Sequence, residues 1–501
     1  MHPSPYHQRR EDTYPVRERA FEIPDSPRDV GDVIRQIHIA AERSPNDYRS
    51  GQAFAKPGTF VDPIAQHAFA YVLERMNPNN IDGHMFLGSY ELEKEVIAQI
   101  ARLLGKCDES TMTDGFMLSG GTESMHQVLW MLRNKYFREA AGVSIDDIGV
   151  ADAMQALAKQ GKRPPVILTA VDAHFSTMQK IPALLGLGRD SLRLLPLDEN
   201  FETSLPAVER IVARAHGENR DILAYVGVFG DTQKGRLENI AAVAETIQRV
   251  SNANGRAAPP TVVDAAAQYL FGALMQDSPR HGKVPVWDFR VSSVEAIITD
   301  PHKNQIPYAC GLLLLRDQAL ARESHIAATY LSRDLQSKSS SLTDREREDA
   351  QVTATIPTSR AGYAAAALWA YNQAHGLTGM RMRKEAVWRL AQDIAAGIRS
   401  SSAYELVMDP QSSVVSFRTK DHSGARMAAI YEAINTSPED RLYISKSTTT
   451  VARTAEDLVI ARTLGDASPY SALHVHVMEH NNPAAVETLL RRLQDEAKRL
   501  P

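Results

Sequence analysis

Five short polar clusters in this 501-residue chain combine residue types able to do chemistry. The first is Ser119-Gly120-Gly121-Thr122-Glu123-Ser124, set between an apolar run at 115–118 and a helical pattern over 125–137. Glycines at a strand-to-helix turn let the backbone approach a ligand. The helix that follows offers unpaired N–H groups and a positive dipole end to a phosphate. The same string also reads as a plain capped turn, and with no lysine after the glycines it is not a nucleotide P-loop. The second is Asp172-Ala173-His174-Phe175-Ser176, where His174 is able to stack on a ring or to move protons. The third is Gly230-Asp231-Thr232-Gln233-Lys234-Gly235, in which Thr232 is either a hydroxyl donor or part of a polar turn. The fourth is Asp264, which ends an apolar run and is followed by the small Ala265 and Ala266. A carboxylate there holds a heterocycle nitrogen protonated, or else caps the next turn. The fifth is Asp300-Pro301-His302-Lys303. A lysine in a closed, partly apolar pocket has a reason to be there if it forms an imine.

The elements that must position these clusters follow from hydrophobic pattern. Short apolar runs fall at 115–118, 166–170, 192–195, 222–229, 261–263, 296–298 and 311–315. Helical periodicities lie between most of them. The clearest covers 237–250, where Leu237, Ile240, Ala244, Ile247 and Val250 share a face. Alternation of this kind predicts an α/β domain with a mostly parallel sheet of about seven strands. Ligands of such sheets sit beyond the carboxyl ends of the strands, where all five clusters fall. The segment 140–164 reads as a helical insertion. Upstream, Leu92, Val96, Ile100 and Leu103 form one helical face that Gly105 stops.

The expected organisation is an N-terminal arm over 1–60 with a helix near 30–42, a large domain over 61–330, a loop over 331–360 and a small α+β domain over 361–501. The loop is charged and Ser-rich, and reads as solvated chain or as a lid over the site. The small domain shows strand patterns at 414–417, 442–444 and 473–477. Its last helix has Asn482 as N-cap and Pro483 at its first position. His474 and His476 share a strand face, which reads as structure because no further metal ligands stand nearby.

Composition narrows the function classes. Hydrophobic residues make up 43% and charged residues 23%, with a net charge of −5, so neither nucleic acid nor an anionic membrane is favoured as partner. Two distant cysteines, Cys107 and Cys310, indicate neither a disulfide framework nor a zinc site, and no metal is expected. The polar N-terminus has no signal-peptide core and no apolar run reaches membrane-spanning length, so a cytoplasmic protein is expected.

In their order, SGGTES, DAHFS, GDTQKGRLENI, VVDAAA and TDPHKNQIPYACGLLLLRD resemble the group II pyridoxal 5′-phosphate (PLP)-dependent decarboxylases. The likeness is strongest to the archaeal-type tyrosine/aspartate decarboxylases and the related sphingosine-phosphate lyases, and it covers roughly 75–365. It implies PLP fold type I, the aspartate-aminotransferase-like fold, and it implies roles. Lys303 holds the cofactor as a Schiff base. His302, Gly121 and Thr122 touch its phosphate. His174 stacks on the ring, Asp264 pairs with the pyridine nitrogen, Ala266 packs on the ring face and Thr232 reaches the ring-side oxygen. Ser359 and Arg360 lie near a homodimer interface and approach the partner's cofactor. Asn304, where many relatives carry an aromatic residue or Met, departs from the pattern.

The reaction expected is α-decarboxylation of an L-amino acid, with Tyr330, then His174, as candidates to return a proton to Cα. A carbon–carbon lyase acting on a β-hydroxy amine is the alternative. Transamination or oxidative deamination and a catalytically silent relative rank below it.

Overall fold

The central apolar runs form one seven-stranded sheet in the computed structural model, which describes residues 23–42, 48–81, 85–276, 278, 281–282, 284–325, 354–436, 442–447 and 472–499. Its strands are β1 (Gly115–Leu118), β2 (Arg163–Ala170), β3 (Leu192–Leu195), β4 (Arg220–Val228), β5 (Thr261–Asp264), β6 (Val294–Thr299) and β7 (Gly311–Leu315). They lie in the order β1-β7-β6-β5-β4-β2-β3. β7 runs antiparallel to both of its neighbours and the remaining pairs are parallel. Since β7 is reversed between β6 and β1, the carboxyl ends of β1, β2, β4, β5 and β6 share one edge with the amino end of β7.

The strands read as continuous apolar runs because both sheet faces are covered. Val166, Leu168, Tyr225, Val263 and Ile297 point into one core, and Ile167, Ala224, Val226, Val262 and Ala296 into another. The helices that cover them include α1 (Leu87–Leu103), α2 (Gly121–Ala141), α3 (Leu205–Gly217) and α4 (Ile240–Ala253). Gly105 stands at φ +79 just past α1, in the left-handed conformation that a helix-stopping glycine adopts at no steric cost. A helix over Ile145–Lys159 fills the insertion between α2 and β2.

A second sheet has the order β10-β11-β9-β8, all antiparallel, from β8 (Tyr404–Leu406), β9 (Val414–Thr419), β10 (Ser445–Ser447) and β11 (Ala472–His476). The strand expected at 442–444 is displaced to β10. Leu442 and Ile444 are buried in the small core, while Tyr443 makes a single bridge to Ala53. The apolar alternation there reflects packing beside the N-terminal segment and not a sheet register. Helix α5 (Tyr363–Arg399) joins the two cores. Leu368 and Tyr371 pack on the large core, Val387 and Ile394 on the small one, and the helix bends between them at Gly376. Among the described residues no helix is long and apolar enough to cross a membrane.

Candidate functional site

The glycine turn is built by close backbone approach. Gly311, at the start of β7, lies so near Gly120 that a Cβ on it would fall 2.5 Å from Gly120 Cα. A Cβ on Gly120 would sit 3.1 Å from His302 Cε1, and one on Gly121 would sit 3.2 Å from Asp300 Oδ2 and 3.4 Å from the Ala266 Cβ. The first-turn N–H groups of α2, which starts at Gly121, have no partners within the helix. Thr122 Oγ1 bonds Ser176 Oγ at 3.2 Å, and Ser176 Oγ lies 2.7 Å from His174 Nδ1. This chain links the glycine turn to the end of β2.

Around Lys303 stand two carboxylates and two imidazoles. Lys303 Nζ lies 3.0 Å from Asp300 Oδ2. Burial pushes the lysine pKa down, but Asp300 and then Asp264 outweigh it and leave the amine above its ordinary value. Burial pushes the Asp264 carboxyl up, against the pull of Lys303 and His174. Its Oδ1 accepts from Ala266 N at 3.2 Å. His302 accepts from Cys310 N at Nδ1, 3.3 Å away, so its remaining proton belongs on Nε2, on the Asp300 side. Burial lowers its pKa and keeps the ring neutral. Tyr308 stacks on it at 4.1 Å. His174 is exposed toward the crevice, with its pKa lowered by desolvation first.

The turn carrying Thr232 is braced from below. Arg236 forks onto both oxygens of Asp172 at 2.8 and 3.0 Å, and Lys234 Nζ lies 3.2 Å from both Asp172 and Asp231. Arg236 and Lys234 overcome burial and hold the Asp172 carboxyl well below the usual range. The ends of β2 and β4, and with them His174 and Thr232, are thereby tied together. Asn304, the departure from the pattern, accepts from Lys384 of α5 at 2.7 Å, and Lys384 pairs with Glu479. The chain just after Lys303 is thus knitted to the small domain.

Of the residues singled out in the sequence, Gly121, Thr122, His174, Thr232, Asp264, Ala266, His302 and Lys303 converge on this one edge. Ser359 is exposed, and its hydroxyl accepts from Asn79 Nδ2 at 3.1 Å instead of joining the group around Lys303. Arg360 turns inward to a buried pair with Glu93. Tyr330 lies outside the described residues. Gly311 and Tyr308 carry no mark in the sequence that singles them out. His474 and His476 were visible as a same-face pair, but their nearness to Lys234 and Lys303 was not.

Residues 73–420 match the pyridoxal-dependent decarboxylase conserved domain. A probable L-tyrosine/L-aspartate decarboxylase of Methanothermobacter thermautotrophicus is 26% identical over 374 residues, covering 74% of this chain and 84% of that protein. An L-aspartate decarboxylase of Thermococcus kodakarensis is 25% identical over 390 residues, covering 77% and 84%. Among solved structures, Oryza sativa TDC with PLP and tryptamine superposes with a TM-score of 0.75 at 15% identity, covering 96% of this chain and 90% of that one. A Burkholderia pseudomallei sphingosine-1-phosphate lyase gives 0.70 at 17% identity, covering 96% and 93%. These structural likenesses establish the type I fold expected from the sequence.

The residues present suit the cofactor that this family takes. The glycine turn leaves a space that any Cβ would narrow, a neutral His302 borders it at the start of a helix, and a half-buried lysine stands beside it with Asp300 and Asp264. Asp300 Oδ1 is buried without a partner, a free acceptor at the same place. The chain belongs to the pyridoxal-dependent decarboxylase family, and its cofactor is pyridoxal phosphate.

Proposed function

We propose that the protein removes the α-carboxylate of an L-amino acid as CO2 and releases the amine, with Lys303 as the residue that carries the cofactor. The observation behind this reading is the meeting of Lys303, Asp264 and His174 at one sheet edge, beside a glycine turn that opens a helix. Gly120, Gly121, Thr122 and the α2 N–H groups would bind the phosphate, with His302 Nε2–H donating to it. Asp264 would hold a proton at the ring nitrogen, His174 would cover one ring face, and Ala266 would leave room on the other. Thr232 would donate toward the ring-side oxygen. Bound pyridoxal phosphate supplies an electron sink for the bond that breaks. Tyr330, or His174, would deliver the proton that replaces CO2 at Cα.

A homodimer is part of the proposal, with Ser359 near the partner's site. Exposed apolar side chains support it: Val33, Ile34 and Ile37 on the helix Val30–Glu42, and Ile64, Tyr71 and Leu73 on the helix Pro63–Met76. Such a face calls for cover. Light scattering that finds an active monomer would contradict it.

The test is a mass-spectrometric screen of the PLP-loaded protein against the standard amino acids. Amine plus CO2 is expected, whereas aldehyde without CO2 would replace decarboxylation by carbon–carbon cleavage. Lys303→Ala should abolish the visible band of covalently held cofactor. Asp264→Asn should keep that band and lower kcat by about a hundredfold or more. Survival of the band in Lys303→Ala would sink the assignment.

A further inference from the structure

Lys303 ends a short 3-10 turn, Pro301–Lys303, whose amino side is fixed to the sheet. His302 N donates to Cys310 O at 3.3 Å, and Cys310 N donates back to His302 Nδ1 at 3.3 Å. On the carboxyl side no strand or helix follows until β7. Asn304 and Gln305 come next, both 2% exposed, and Gln305 stands at φ +68, in the left-handed region. A side chain on such a backbone costs free energy that glycine would avoid. Outliers of this kind persist where neighbours over-determine them. Glutamine in place of glycine therefore points to a use for its side chain.

Two consecutive residues of α5 take hold of these two. Lys384 Nζ donates to Asn304 Oδ1 at 2.7 Å. Arg383 Nη1 donates to Gln305 Oε1 at 2.6 Å, and the Tyr371 hydroxyl donates to the same oxygen at 3.4 Å. The backbone is held as well, since Asp62 N donates to Gln305 O at 2.9 Å. Asp62 Oδ2 closes the ring, accepting from Arg383 Nη1 at 3.1 Å and lying 2.9 Å from His375 Nε2. Each cation has its own carboxylate, Arg383 with Asp62 and Lys384 with Glu479. Arg383 and Lys384 lie past the bend of α5 at Gly376, between Met380 on the large core and Val387 on the small one.

We propose that Gln305 and Arg383 are positioning residues for Lys303, clamping the carboxyl side of its turn so that the lysine amine is presented in one direction. This deepens the reading of Lys303 as the residue that carries the cofactor, and rests on it. Lysine bears its amine on a flexible four-carbon stem, so the amine is aimed only as well as the backbone beneath it is fixed. The sheet fixes one side of the turn and the clasp fixes the other. The lysine base is thereby tied to α5 and to Asp62, two segments far from it in sequence. Because the clasp acts through the backbone and not by contact with substrate, it bears on turnover more than on substrate affinity.

The experiment compares the full-length wild type with Gln305→Gly, Arg383→Met and Arg383→Lys. Gln305→Gly keeps the left-handed backbone at no steric cost and removes only the acceptor. CO2 release by the PLP-loaded chain gives kcat and KM. The limiting rate at which the visible band forms, when the cofactor-stripped chain is reloaded with saturating pyridoxal phosphate, gives a measure independent of turnover. Gln305→Gly and Arg383→Met should each slow reloading and lower kcat by about tenfold or more, with KM within about twofold of wild type, because misplacement of a reacting group acts on the rate. Arg383→Lys, which keeps a donor and a charge facing Asp62, should recover part of both rates. Gln305→Gly/Arg383→Met should be little worse than the more damaged single variant, because both changes delete one contact. Ile394→Ala, which opens the small core away from the clasp, should lower the urea midpoint and leave the reloading rate at its wild-type value. A wild-type reloading rate in Gln305→Gly, losses that multiply in the double variant, or equal slowing in Ile394→Ala would each overturn the proposal. Should Arg383→Met fail to fold, Gln305→Gly and Ile394→Ala decide it alone. Absence of a lysine-bound band from the wild type would overturn the reading of Lys303 and this proposal with it. Absence of CO2 from every amino acid would overturn decarboxylation only, and the reloading rates would still decide for the clasp.

Discussion

Arg360→Met probes the bond between the chain after 354 and the strand that carries the glycine turn. The Arg360 side chain is 4% exposed and the Glu93 side chain 3%. Its Nη1 bonds Glu93 Oε1, and donates to Met117 O at 3.0 Å. Methionine keeps most of the volume but strands the Glu93 carboxylate. Removing one partner of a buried pair costs about 3–5 kcal/mol. Glu93 would retain Asn80 Nδ2 at 2.7 Å and Met117 N at 3.0 Å, so the low end, about 3 kcal/mol, is expected. Burial alone pushes the Glu93 carboxyl up. Arg360, with Met117 N–H and Asn80, more than offsets this and holds it below its ordinary 4.5. A carboxyl with a depressed folded pKa contributes stability that is present above the unfolded value and lost as pH falls through the folded one. In Arg360→Met the burial effect prevails and Glu93 takes up a proton at higher pH. The deficit should therefore be largest near neutrality and shrink on acidification. Urea unfolding midpoints of both proteins from pH 7 to pH 4.5 measure it. The double variant Glu93→Gln/Arg360→Met, which leaves no stranded charge, should be more stable than Arg360→Met at pH 7. A single variant within about 0.5 kcal/mol of wild type at pH 7, the range of ordinary surface changes, would refute the reasoning.

Gly311→Ala should damage cofactor binding, because its Cβ would meet Gly120 Cα, N and C at 2.5, 2.8 and 2.9 Å and push the glycine turn aside. PLP titration followed by absorbance should show affinity weakened by at least about tenfold, equivalent to about 1.4 kcal/mol, and unchanged affinity would contradict the close approach. His474 is pushed down to about 3, by burial first and Lys234 second. The unfolded chain binds a proton at this residue below about pH 6.5 while the folded chain does not, so stability declines as pH falls from there toward 3. His474→Leu should remove that part of the acid limb, on the order of 1.4 kcal/mol per pH unit at most. A limb of unchanged slope in urea midpoints would show that His474 is not buried in neutral form.

Much of the large domain is legible locally. Strands such as β2 and β4, covered on both faces, need apolar residues at every position, so their runs stand out against the helical periods between them. The glycine turn, His174, Thr232, Asp264 and Lys303 are each marked by residue type at the end of such a run, and parallel strands bring their carboxyl ends to one edge. Those inferences need only hydrophobic period and chain order. The 442–444 run marked burial in the small core, but an apolar pattern does not say whether the partner is a strand or, as here, the segment around Ala53.

What the sequence by itself determined, then, is the set of strands and the identity of the residues at their ends. The tertiary structure alone decided the contacts between distant segments: Gly311 against Gly120, which requires β7 to be reversed; Arg236 on Asp172 beneath Thr232; Asn304 tied through Lys384 to Glu479; and His476 brought to Thr232 from the other domain. These pairings carry no periodic signal. A side chain is satisfied or left unpaired by neighbours that only the completed packing supplies, so Ser359 and Arg360, adjacent in the chain, end one exposed and one buried.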